Sequence, residues 1–331
     1  MTTRAQPELI GPLLRDVSRS FYLTLRVLPK EIRPQISLAY LLARASDTIA
    51  DTKAVPAPER VAILREFLSD KTRRIVPGTA DTPAEKMLLE RLDDCVELLA
   101  TFSEEDQRLI RALHQTIVTG QIFDLETFPG GIGQEIIALK SGEDLDRYTY
   151  LVAGCVGEFW TKMCAAHLPA LRQWDVTEMS ALGVRFGKGL QLVNVLRDLP
   201  RDLRIGRCYL PVTEPQALLD PKNFGRIESV YAHWLDTAVE HLDAGWDYTM
   251  RIPPKLKRLR LACAWPIWIG LKTITRLRRA NPLDPAHRVK VPRGEVYRLM
   301  AGSGVRIWSD AALAAKFQRL RQAAKSSRNM P

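Results

Sequence analysis

Apolar residues recur at three- to four-residue intervals along almost the whole chain, the period at which side chains line one face of an α-helix. The pattern predicts helices over roughly 30–51, 57–74, 83–101, 103–128, 144–167, 175–200, 223–250, 255–279 and 308–325. Proline and glycine collect between them, at Lys53–Pro58, Val76–Pro83, Pro129–Gly133, Ile205–Pro215, Ile252–Pro254 and Asn281–Gly294, where the chain is expected to turn. Alternation at period two never lasts long enough to argue for a sheet. The chain reads as all-α and as a single domain over residues 1–331. Its motif-bearing part covers about 15–300, and 301–331 form a helical or partly disordered extension.

Several predicted helices are apolar on more than one face. Within Leu182–Leu196 lie Gly183, Gly187 and Gly189, and Tyr148–Gly157 repeats the pattern with Gly154 and Gly157. A helical glycine costs roughly 1 kcal/mol relative to alanine, so these need a reason. Close helix packing supplies one, and room for a bulky apolar ligand supplies another. The longest apolar run, Leu261–Leu271, has only eleven residues, too few to span a bilayer. No apolar leader follows Arg4, so no signal peptide is expected.

Composition narrows the picture only modestly. With 46% hydrophobic and 26% charged residues, disordered and collagen-like classes are excluded. The surplus of 48 Lys+Arg over 38 Asp+Glu leaves a formal charge of +10, which favours an anionic partner: nucleic acid, an acidic membrane or a phosphorylated small molecule. The five cysteines are scattered without a C-x-x-C, so neither a disulfide framework nor a zinc site is expected, and a reducing, cytoplasmic interior is.

The candidate chemistry lies in two acidic ladders. Asp47 and Asp51 are four residues apart on a predicted helix, which puts both carboxylates on one face. Like charges at that spacing repel, so a cation between them would relieve the helix. Asn194, Asp198 and Asp202 repeat the spacing near the end of a strongly apolar helix, with Arg197 and Arg201 interleaved and Pro200 expected to bend the chain. Mg²⁺ is held by one or two carboxylates together with substrate phosphates, and arginines grip phosphate oxygens in a fork. Two opposed ladders over an apolar cavity outline the ionisation of a prenyl diphosphate.

At these residues the chain resembles the squalene/phytoene synthase family. The match is carried by Ser18-Arg-Ser-Phe21, by Tyr40-Leu-Leu-Ala-Arg44 running into Asp47-Thr-Ile-Ala-Asp51, and by Tyr148 with Val152-Ala-Gly154 and Gly157. It continues through Gln191 to Asp202 and Gly206-Arg-Cys-Tyr-Leu-Pro211. The resemblance implies an isoprenoid synthase-type helical bundle around a central apolar cavity. It implies Mg²⁺ (or Mn²⁺) on Asp47, Asp51, Asn194, Asp198 and Asp202, and diphosphate contacts from Ser18, Arg19, Ser20, Arg44, Asn194, Arg197 and Arg207. Tyr40 and Tyr148 would line the reaction centre. Ala50 stands where many squalene synthases carry a further acid.

The implied reaction joins two farnesyl diphosphates head to head through presqualene diphosphate, followed by NADPH-dependent reduction to squalene. Cys263-Ala-Trp-Pro266 and the basic loop Val289-Lys-Val-Pro-Arg-Gly294 resemble squalene synthases, the latter assigning NADPH to Lys290 and Arg293. Against this, Gln121–Leu125 (QIFDL) resembles the phytoene side, and synthases that stop at presqualene diphosphate or make phytoene or dehydrosqualene remain open. The alternative of another class is a non-catalytic basic protein that binds membrane or nucleic acid. No nucleic-acid module is recognisable; a monomer with peripheral contact to the cytoplasmic membrane face is expected. The seven tryptophans are assigned to the core or cavity wall, Asp243 and Asp247 to a solvated helix face without arginine partners, and Gly130–Gly133 to a loop breaker.

Overall fold

A computed structural model describes residues 6–18, 22–52, 54–68, 80–129, 135–286 and 289–326. Short helical turns over Gln6–Glu8, Leu9–Leu13 and Leu14–Ser18 precede helices α1 (Tyr22–Arg26), α2 (Arg33–Asp51), α3 (Ala57–Phe67), α4 (Pro83–Glu90), α5 (Leu92–Ala100) and α6 (Glu104–Thr127). There follow α7 (Gly142–Thr149), α8 (Cys155–His167), α9 (Val176–Arg204), α10 (Glu228–Arg251), α11 (Lys257–Leu277), α12 (Arg293–Arg306) and α13 (Asp310–Lys325). The all-α expectation holds.

Several boundaries differ from the periodicity for identifiable reasons. The stretch 83–101 breaks at Arg91, which leaves helical geometry (φ −109°, ψ 22°) and turns its guanidinium onto Asp94 at 2.7 Å. Between α7 and α8 the chain widens into a π-helical segment, Tyr150–Gly154, a form that often marks functional positions. Pro200 does not end α9, which continues to Arg204. Helix α12 shows no clear helical period in the sequence because its glycines and exposed polar residues blur the apolar stripe. One two-residue parallel ladder, β1 (Ile137–Ala138) against β2 (Arg207–Cys208), is too short to register as alternation. Residues 69–74 of the predicted 57–74 helix, and the breaker Gly130–Gly133, lie outside the described residues.

Contacts cluster into two units. The first comprises the chain up to Pro129 with Phe159–Val176. In it α2 packs on α6, where Leu38, Leu41, Ala45 and Ile49 on α2 and Ile110 and Ile117 on α6 are buried. Helix α4 starts with a capping box: Thr82 Oγ1 accepts from the Glu85 amide at 3.3 Å, and Glu85 Oε2 accepts from the Thr82 amide at 3.1 Å.

The second unit comprises Gly130–Glu158 with the chain from Thr177 onward. Helices α10, α11 and α13 pack together, with Trp246 stacked on Phe317 at a centroid distance of 4.5 Å. The glycines of α9 serve close packing. A Cβ on Gly157 would fall 1.9 Å from the Gly183 carbonyl oxygen, one on Gly187 would fall 2.2 Å from that of Ala153, and one on Gly189 would meet the His241 Cβ at 2.9 Å.

Two assignments need correction. Asp243 is not a solvated acid without an arginine, because Arg321 of α13 binds it through both guanidinium nitrogens at 2.8 Å; the partner is distant in sequence and could not be read from local spacing. Trp308, unlike the buried Trp246, Trp265 and Trp268, is 74% exposed, because it stands in the turn between α12 and α13.

Candidate active site

In the first unit, helical periodicity aligns Tyr40, Arg44, Asp47 and Asp51 along one face of α2. Asp51 is the last residue of that helix, so both carboxylates lie toward the end where the backbone dipole is negative. Nothing in the helix itself favours anions there. Gln121 on α6 donates from Nε2 to Asp47 Oδ1 at 2.6 Å, while its buried Oε1 has no hydrogen-bond partner among the described residues. Burial first, and the Asp51 charge second, push the Asp47 carboxyl up to about 6 against the opposing pull of Arg44 and Gln121.

Arg44 is held by the capping carboxylate: its Nη2 pairs with Glu85 Oε1, while Glu85 Oε2 completes the capping box of α4. Burial pulls the Arg44 guanidinium down, yet the charges of Asp47 and Glu85 leave it raised overall. Its buried Nε has no partner among the described residues. Ser18 is buried and donates to the Leu14 carbonyl of its own helical turn at 2.5 Å. Arg19 and Ser20 lie outside the described residues.

In the second unit, Asn194, Asp198 and Asp202 follow the i,i+4 stripe of α9 toward its C-terminus. Asn194 Nδ2 donates to Gln191 Oε1 at 3.3 Å. Arg197 clamps the adjacent Asp198 through Nε and Nη2 at 2.9 and 2.6 Å, and Arg201 reaches Asp202 at 3.3 Å. Asp202 is buried. Burial drives its carboxyl up to about 6, with Asp198 adding to the rise while Arg201 and Arg207 oppose it. Gly206 sets the direction in which the chain delivers Arg207. Its positive φ of 85° is open to glycine and costly for most side chains; it reverses the chain from α9 into β2, which starts at Arg207.

The same turn brings Tyr209 onto Tyr148. Their rings stack at 4.7 Å between centroids, 25° from parallel, with the phenol oxygens 3.5 Å apart. Both are buried. Lys290 and Arg293 stand exposed at the start of α12; the Lys290 carbonyl accepts from Arg276 at 2.6 Å.

Three residues of these clusters had no assigned role in the sequence: Glu85, Gln121 and Tyr209. The Thr82-Pro-Ala-Glu85 run is a helix-start signature that could have flagged the first. In the sequence Gln121 stands out only through the family resemblance of its segment, and Tyr209 only as part of a motif.

Among the described residues no group of three or more His, Cys, Asp and Glu side chains converges as a metal site. Each ladder instead offers two carboxylates with hard oxygen donors and mutual repulsion. That donor set fits Mg²⁺, which completes its shell with water and substrate phosphate. Cys95, Cys155, Cys208 and Cys263 are buried thiols pushed up to about 12 by burial and offer no nucleophile.

A family model described as squalene/phytoene synthase matches residues 14–295. Botryococcus squalene synthase from Botryococcus braunii is 27% identical over 302 residues, covering 87% of this chain and 61% of its own length. A bifunctional lycopene cyclase/phytoene synthase from Gibberella fujikuroi is 28% identical over 305 residues, covering 85% of this chain and 49% of its own length. The chain thus spans less than two thirds of these relatives. The solved structure of TcSQS with the ligand BPH1237 superposes with a TM-score of 0.78 at 20% identity, over 98% of this chain and 94% of that one.

Proposed function

The chain belongs to the squalene/phytoene synthase family, has its all-α isoprenoid synthase fold, and we propose that it is a prenyltransferase that makes squalene. Two farnesyl diphosphates would join head to head to presqualene diphosphate with loss of one diphosphate and one proton. A hydride from NADPH would then replace the second diphosphate. The observation that carries this reading is the pair of aspartate ladders at the C-terminal ends of α2 and α9, each with arginine alongside. The family match over both units supports treating the chain as one functional domain.

Asp47, Asp51, Asn194, Asp198 and Asp202 would hold Mg²⁺, which when bound neutralises diphosphate charge and makes it a better leaving group. Arg44, Arg197 and Arg207, with Ser18, Arg19 and Ser20, are assigned to the diphosphate oxygens. Glu85 and Asp198 would orient the guanidiniums of Arg44 and Arg197 beforehand, so that little side-chain freedom is lost on binding. The ring faces of Tyr40 and Tyr148 would stabilise an allylic cation, and a phenol would accept the departing proton. The Tyr148–Tyr209 stack fixes one such ring in place. Apolar surroundings would exclude water that otherwise converts the cation to an alcohol. Lys290 and Arg293 are assigned to NADPH, and the cytoplasmic membrane face is the proposed working location.

One observation favours a second reading. Gln121, from the segment that resembles phytoene synthases, is bonded directly to Asp47, consistent with an enzyme that ends the reaction by proton loss to phytoene or dehydrosqualene. Incubating the purified chain with farnesyl diphosphate and Mg²⁺, with and without NADPH, decides between them. Squalene is expected only with NADPH; a product set indifferent to the reductant overturns the squalene reading.

A further inference from the structure

Trp308 is the most exposed large hydrophobic side chain among the described residues, at 74%, and Tyr297 of α12 follows at 58%. Indole rings are enriched at interfaces where one side is apolar and the other wet. The ground around Trp308 is basic. The Lys257 ammonium sits over its ring, and Lys255 and Arg258 are exposed beside Lys257 at the start of α11. None of these three cations enters an ion pair among the described residues. Asp310, two residues after Trp308, is already bound to Arg260 at 2.5 Å.

Arg260 also gives the corner its rigidity. Only 2% exposed, it donates to the Ile252 and Met250 carbonyls at 2.6 and 3.2 Å as well as to Asp310. One buried guanidinium thus ties together the end of α10, the turn before α11 and the start of α13. Trp308 is presented on a stapled platform, and its docking would cost little conformational freedom.

We propose that this corner docks on an anionic lipid bilayer, with Trp308 seated at the headgroup level and Lys255, Lys257 and Arg258 facing acidic lipids. Charge complementarity selects the partner: tryptophan prefers the membrane–water interface, and clustered Lys and Arg beside it are attracted to an acidic leaflet. No helix of the described residues is long and apolar enough to cross a membrane; the proposed contact is made by surface side chains. The surface is assigned from its own residues; its use in releasing a hydrocarbon into lipid rests on the activity proposed above.

Co-sedimentation of the full chain with phosphatidylglycerol/phosphatidylcholine vesicles, against pure phosphatidylcholine, tests the docking without requiring turnover. Binding is expected only with the acidic lipid. It should weaken roughly fivefold for each of Lys255→Glu, Lys257→Glu and Arg258→Glu, and markedly for Trp308→Ala, while the control Arg108→Glu on α6 stays at wild-type. Brominated lipids should quench wild-type fluorescence more than that of Trp308→Phe, a variant that preserves bulk. Circular dichroism and turnover in detergent should be unchanged in every variant. Equal binding to neutral vesicles, vesicle binding unaffected by these substitutions, or loss of a dimer in place of vesicle binding would each overturn the proposal. Absent turnover with intact vesicle binding would instead count against the synthase reading alone.

Discussion

Asp47 shows at a single residue how function is set against stability. Its carboxyl is pushed up to about 6 by burial and by Asp51, so the folded protein holds the proton more tightly than the unfolded chain does. The sign follows: ionised Asp47 weakens the fold above that value, and the penalty fades as pH falls through about 6 toward the ordinary 3.8. Asp47→Asn is therefore expected to stabilise the metal-free protein at pH 7 by about 1–3 kcal/mol, read as a higher melting temperature, while abolishing product formation. At pH 5 the gain should shrink. A melting temperature lowered by this substitution would mean that Asp47 is structural. The aspartates themselves were legible from i,i+4 spacing, but the partner of Asp47 was not, because Gln121 lies seventy-four positions away.

At the scale of elements, the sequence showed that helices exist and left open what their glycines are for. Glycines at positions 157, 183 and 187 could have made room for a ligand or for a neighbouring helix, and only distances decide. A methyl group on Gly157 has the Gly183 backbone at 1.9 Å, and one on Gly187 has Ala153 at 2.2 Å; backbone cannot move aside as a flexible side-chain end can. Gly157→Ala and Gly187→Ala should each destabilise the fold by about 1–3 kcal/mol or more, measured by urea unfolding. By contrast Gly225→Ala and Gly294→Ala, where an added Cβ meets nothing within 4 Å, should change stability far less. Helix α12 was illegible for the converse reason: it has few buried residues to set a period. The break at Arg91 was illegible because a salt bridge to Asp94, rather than proline or glycine, accompanies it.

For the whole molecule, the charge of +10 is divided among tasks that composition could not separate. Some arginines are spent on structure, as Arg260 and Arg321 are; Arg44 and Arg197 lie beside the acidic ladders; Lys255, Lys257 and Arg258 crowd one corner. If the ladders bind metal together with diphosphate, inorganic pyrophosphate and Mg²⁺ should raise the melting temperature jointly and much more than either alone, since ligands that bind only the folded state stabilise it by mass action. Asp198→Asn should remove most of that shift, and chelation with EDTA should reverse it. A shift that survives Asp198→Asn would place the anion elsewhere.

Gly206 touches neither ladder through a side chain, yet its one backbone angle, φ 85°, stands between α9 and the strand that delivers Arg207 and Tyr209. A saturation library at this position would therefore grade residues by backbone tolerance instead of chemistry. Asn and Asp, which enter the left-handed region most readily, should retain the most product, and Val and Ile the least. A screen scored on activity alone would list Gly206 beside the aspartates as indispensable, although what it contributes is the direction of the chain.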